Sequence, residues 1–179
     1  PPDTGLRKKP LQFAVPVAVD ISPANDGLWT EMADGSRIWR IGIYSSGAYS
    51  LNLIIEGFSA VSGAKMFVYD PGMEVVRGAF SGIGIPDGGT MAVMPVPGDR
   101  LVVEYNLPAG VKEVPDWKIV RVGHDFLNVF PRLERKDGSF KKSKSCNLDI
   151  SCLQGVTGQL EKRAVVRLLI NGSELCSGA

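Results

Sequence analysis

The sequence predicts an all-β protein: an antiparallel β-sandwich of jelly-roll type, followed by a linker and a separate β-hairpin. Three observations point there. From Leu11 to Val122 apolar side chains alternate at period two, so that every second residue would face a core. Turn residues recur at short intervals, in "SGA", "DPGM", "IPDGG" and "VPGD", where Gly and Pro supply the dihedrals that reverse a chain. No stretch carries the three-to-four-residue apolar spacing of an amphipathic helix, and eight or so short strands without helices argue a sandwich.

Taken in order, the strand candidates begin with "QFAVPVAV". In "RIWRIGIY" Trp39, Ile41 and Ile43 share one face, and in "YSLNLIIEGF" Tyr49, Leu51, Leu53 and Ile55 do the same, each the mark of a half-buried strand. "KMFVYD", "EVVRGAF", "TMAVMPV", "RLVVEYN" and "WKIVRV" complete the set. Trp39 falls on the inward face and reads as core, whereas Trp29 and Trp117 sit near strand starts and stay open to a binding role. "GIGIPDGG" imitates a phosphate-binding glycine loop but contains Pro86 and opens no helix, so it reads as a turn.

With 179 residues, 44 % of them hydrophobic, the chain is long enough for one full core and something beyond it. Twenty basic against nineteen acidic residues leave a formal charge of +1, which offers no bulk field to nucleic acid or to an anionic membrane. Its apolar runs are too short for a membrane span, and "PPDTGLRKKP" lacks the apolar region of a signal peptide.

The character changes at Pro131. "PRLERKDGSFKKSK", residues 131–144, sets Arg132, Arg135, Lys136, Lys141, Lys142 and Lys144 against Glu134 and Asp137. It has too little apolar surface to offset its ordering entropy, which predicts an exposed linker between a sandwich over 1–130 and a second unit over 145–179. Such a stretch suits a solvated or polyanion-binding linker, and it equally suits cleavage by a protease of tryptic preference. In "KRAVVRLLINGSEL" a strand from Arg163 to Ile170 meets an Asn171-Gly172 turn and a strand returning toward Cys176, a strong short-range hairpin signal. A hairpin does not stand alone in water, so its domain either continues past Ala179 or is supplied by the sandwich.

Candidate chemistry is sparse. His124, in "VGHDF", is the single histidine; it falls at the end of the last sandwich strand, and no triad can be assembled around it. Cys146 and Cys152 are not at C-x-x-C spacing, and one histidine leaves a zinc site short of ligands, so neither metal nor cofactor is expected. Cys146, Cys152 and Cys176 are odd in number, and their spacings suit half-cystines of an oxidising compartment, the periplasm or beyond.

"SCNLDISC", "KRAVVRL" and "ELCSGA" together resemble the first residues of the mature catalytic domain in the lysyl endopeptidase family, secreted bacterial serine proteases with a trypsin-like double β-barrel. "FAVPVAVDISP", "GLWTEMADGSRIWRIGIYSSGAYSLNLIIEGF", "GAKMFVYDP", "VRGAFSG" and "VPGDRLVVEYNLP" resemble the propeptide domain of the same precursors. The resemblance implies that 1–130 is a propeptide, 131–144 a processing linker and 145–179 the leading strands of the protease. It implies that Cys146, Cys152 and Cys176 pair with cysteines further along, and that the Ser, His and Asp of the triad lie beyond Ala179, leaving this segment inactive. Lys141, Lys142 and Lys144 become the expected maturation sites, with Arg135 and Arg132 moving ahead for an Arg-preferring enzyme. The implied partners are the chain's own catalytic domain and the peptide substrates of the mature enzyme. The alternative is a secreted sandwich module binding carbohydrate or protein through aromatics in "WTEMADG" and "VPDWK".

Overall fold

Strands whose side chains alternate between apolar and polar must cover one face, and the chain does so by folding its strands into two stacked antiparallel sheets. A computed structural model describes residues 10–81, 89–129 and 166–178. In chain order the strands are β1 (Leu11–Gln12), β2 (Ala14–Ile21), β3 (Leu28–Glu31), β4 (Arg37–Tyr44), β5 (Ser50–Glu56) and β6 (Lys65–Tyr69). They continue as β7 (Val76–Phe80), β8 (Thr90–Pro97), β9 (Arg100–Leu107), β10 (Lys118–Asp125), β11 (Val166–Ile170) and β12 (Glu174–Gly178). Among the described residues there is no helix, and no sheet closes into a barrel.

A four-stranded sheet ordered β2-β10-β5-β8 faces a five-stranded sheet ordered β3-β4-β9-β6-β7. The chain crosses from one sheet to the other after β2, β4, β5, β7, β8 and β9, the alternation of a double-sheet jelly roll, with β3 added as an extra edge. A third, three-stranded sheet, β1-β12-β11, joins the hairpin of 166–178 to the start of the sandwich.

The core lies between the two large sheets. Trp39, Leu51, Leu53, Ile55, Met66, Val93, Val103, Tyr105, Trp117 and Ile119 are all fully enclosed there. Four aromatics interlock at its centre: Trp117 meets Trp39 edge-on at 5.4 Å and Tyr105 at 5.5 Å, with Phe58 at 6.0 Å. Edge-to-face contacts of this kind add to the area that large rings already bury.

Most strand expectations hold within a residue or two, and "RIWRIGIY" coincides with β4. Three details differ. Tyr49 precedes β5 and is 53 % exposed, because the chain turns there and the Tyr49 N–H donates to the carbonyl of Asp125. Trp117 is core, packed before β10 rather than open. The four-residue β3 is not among the strand candidates: among the described residues it is an edge that pairs only with β4, and its Leu28 is 77 % exposed, which erases the alternation that marks a strand.

Trp39 donates its indole N–H to the carbonyl of Asp26 at 2.7 Å, whereas the buried indole N–H of Trp117 finds no acceptor among the described residues. Replacing each by Phe removes similar ring volume but strands a carbonyl only in the first case. Trp39→Phe is therefore expected to cost about 1 kcal/mol more than Trp117→Phe, read from urea unfolding midpoints at equal slope.

Candidate functional site

The hairpin of β11 and β12 is built by its turn. Asn171 and Gly172 both take positive φ, 50° and 69°, and the Ser173 N–H closes the turn on the Ile170 carbonyl at 3.1 Å. Glu174 then pairs with Ile170, which leaves Ser173 outside the ladder. Its carbonyl is thereby released to face the sandwich, where it accepts from the N–H groups of Phe13 at 2.9 Å and Ala14 at 3.3 Å. One residue earlier in the chain, β1 adds itself to β12 in the register Leu11↔Leu175 and Gln12↔Glu174. The short strand just before β2 of the sandwich thus forms the edge that receives the hairpin.

Side chains follow the same geometry. Leu169 and Leu175 are cross-strand partners, and both pack on the buried Phe13, Ala14 and Val129. The opposite face of the hairpin carries the pair Leu168 and Cys176, both exposed. Val129 is held in place by Asp125, a buried carboxylate on β10 that accepts from the Ser50 hydroxyl at 2.7 Å and from the N–H groups of Leu127 at 2.8 Å and Val129 at 3.0 Å.

The turn rests where the outer face of the four-stranded sheet is carved flat. Gly123 on β10 pairs directly with Asn52 on β5. A Cβ at Gly123 would meet the Asn52 Oδ1, and would lie 2.7 Å from the Gly172 carbonyl oxygen. A Cβ at Gly172 would lie 2.8 Å from Asn52 Nδ2. Backbone lies against backbone with the Asn52 amide beside both glycines, so both positions exclude larger residues. Neither Asn52 nor Gly123 stood out among the candidate residues, although the signal was present: an isolated glycine inside "VRVGHD" and an amide inside "SLNLII".

The structure places the candidate residues as follows. His124 is the next-to-last residue of β10 and shares a hydrogen bond of 2.7 Å between Nδ1 and the Ser45 hydroxyl. Its neighbour Asp125 is committed to Ser50 and to two backbone N–H groups, so histidine and carboxylate do not form the relay a triad needs. Trp29 is half-buried, donates to the Pro23 carbonyl at 2.9 Å and lies under the Arg37 guanidinium at 5.0 Å; with Trp117 enclosed, the two proposed contact aromatics do not form a common face. Among the described residues no three His, Cys, Asp or Glu side chains gather as a metal site, and no helix is long and apolar enough to cross a membrane. Lys141, Lys142, Lys144, Arg135, Cys146 and Cys152 lie outside the described residues.

The five-stranded sheet carries a second polar cluster. Glu104 accepts from Arg40 at 2.7 Å, from Tyr69 at 2.8 Å and from Asn106 at 3.0 Å. Nearby, Gly42, Ile43, Tyr44, Pro71 and Arg100–Val102 line an open groove of about 380 Å³, with the Arg100 guanidinium 4.8 Å from the Tyr44 ring centre.

No family model matches this chain, and no solved structure matches it. The geometry alone therefore defines the class: an all-β sandwich that binds a hairpin of its own chain.

Partial burial pushes the Glu104 carboxyl up, but the hydrogen bonds from Arg40, Asn106 and Tyr69 outweigh it and hold the group below its ordinary value of 4.5. A carboxylate lowered in the folded state contributes stability above its ordinary value and loses it as pH falls through the lowered one. Glu104→Gln should accordingly flatten the acid limb of stability against pH below 4.5, measured by thermal unfolding across pH. An unchanged slope would assign the acid sensitivity to other groups.

Proposed function

We propose that this chain is the pro-region and the leading strands of a secreted or periplasmic serine endopeptidase that cleaves after basic residues, with the sandwich acting as folding template and block until the linker is cut. The observation that carries the reading is the docking of the hairpin. The segment that resembles the first strands of the protease is paired to β1, the short strand just before β2 of the sandwich. Long-range β topologies fold slowly because loop closure precedes its reward, and a tethered partner surface raises the effective concentration of the correct pairing. The docked hairpin keeps Leu168 and Cys176 outward. That is the face a following barrel would need for its own core and for the disulfide the resemblance implies.

Residues 131–144 connect the two parts. Cleavage after Lys141, Lys142 or Lys144, or after Arg135 or Arg132 for an Arg-preferring enzyme, separates propeptide from enzyme. The residues here supply no triad, so activity belongs to the parent precursor, and its substrates are proteins and peptides.

A sandwich-type binding module is the second reading, and the groove beside Tyr44 and Arg100 favours it. The aromatics first suggested for that role do not, since Trp117 is in the core.

N-terminal sequencing of the secreted product separates the two. A mature amino terminus within residues 133–145, on a chain that continues into a histidine followed closely by cysteine and later a serine motif, is the outcome expected of the precursor. A product that retains the sandwich, with no such motifs downstream, leaves the binding module standing instead.

A further inference from the structure

The face that holds the hairpin has two properties that a permanent core contact would not keep. Asn52 is 1 % exposed, yet among the described residues neither Oδ1 nor Nδ2 has a hydrogen-bond partner. An amide stripped of water without replacement raises the free energy of the state that buries it, and the penalty vanishes when the face reopens. Among the described residues the attachment is also short. β1 contributes two paired residues, and the N–H groups of Phe13 and Ala14 share one carbonyl.

We propose that the outer face of the four-stranded sheet is a receptor for a glycine-turn β-hairpin, occupied here by the chain's own Val166–Gly178 and built to release it. Three features select the partner. The turn must present the carbonyl of an out-of-ladder residue, as Ser173 does, to the paired N–H groups of Phe13 and Ala14. One face of the hairpin must offer an apolar cross-strand pair, as Leu169 and Leu175 do, to Phe13, Ala14 and Val129. The turn must carry glycine where Gly172 lies, because any side chain there meets Asn52 and Ile54. Gly123 is the complementary selector on the receptor side.

Release is local. Phe13, Ala14 and Val129 form a cluster separate from the core between the two large sheets, so the hairpin can leave while that core stays closed. On leaving, the hairpin returns the Asn52 amide to water, and Asn52 thereby sets how readily the receptor opens. The proposal stands on the docking geometry and goes beyond the precursor reading, which names neither the selecting residues nor the release.

Amide hydrogen exchange followed by NMR on the full chain tests it. The Phe13 and Ala14 amides report the docking, and those of Leu53 and Val103, on inner strands, report the sandwich. In the unaltered chain the first pair should exchange at least about tenfold faster than the second, the mark of a local opening. Asn52→Ala removes the orphaned amide and should slow exchange at Phe13 and Ala14 about tenfold, equivalent to ~1.4 kcal/mol. Gly123→Ala should speed exchange at those two sites while Leu53 and Val103 keep their rates. Common rates for all four amides in the unaltered chain would overturn the proposal. So would faster exchange at Phe13 and Ala14 in Asn52→Ala, or an unchanged ratio in Gly123→Ala, which remains readable if Asn52→Ala does not fold. None of these outcomes depends on whether a protease follows.

Discussion

The edge-to-face contact of Trp39 with Trp117 is the constraint on which the sandwich depends. Trp39 belongs to β4 of one sheet, and Trp117 leads into β10 of the other, so their meeting fixes how far apart the sheets stand and which faces are inward. Tyr105 on β9 and Phe58 after β5 close around the same point. With spacing and facing set, the alternation along β5, β8 and β9 places Leu51, Leu53, Val93 and Val103 in the gap without further instruction. The outward residues of β5 and β10 are then committed as well. Asn52 and Gly123 arrive side by side on the far surface because their neighbours are anchored inside.

That surface explains the division of labour in the chain. One sheet buries both of its faces in part, the inner against its partner sheet and the outer against the hairpin, while the five-stranded sheet keeps an outer face of ion pairs and hydrogen bonds around Glu104. The Arg40–Glu104 pair sits where Arg40 is half in water, so it contributes little energy and mainly keeps that face polar. Shape rather than charge governs the hairpin's side. Glycines, an alanine and a buried carboxylate that organises the backbone make a surface on which another backbone can lie close.

Much of this was legible in the sequence because period-two alternation is a local signal. Trp39 could be assigned inward from Ile41 and Ile43 alone, and the Asn171-Gly172 turn announced its hairpin. What was not legible depended on residues far apart in the chain. Trp117 looked open because nothing next to it in sequence shows that Trp39 and Tyr105 surround it. The reason Gly123 lacks a side chain is a turn some fifty positions onward, which no local pattern shows. β3 went unseen because an edge strand over an exposed leucine keeps no alternation. The contact of the hairpin's turn with Gly123 and Asn52 is of the same nonlocal kind.

One feature of the three-stranded sheet reaches past the single chain. Among the described residues β11 is bonded on one side only, to β12, and its other side presents a row of backbone N–H and C=O groups with nothing across from them. An open edge of this sort attracts any extended segment, whichever molecule it belongs to. The same open edge therefore makes crowding dangerous for the hairpin. At high concentration, chains whose β11 edge is uncovered will pair with their neighbours, and dilution becomes a condition of correct folding.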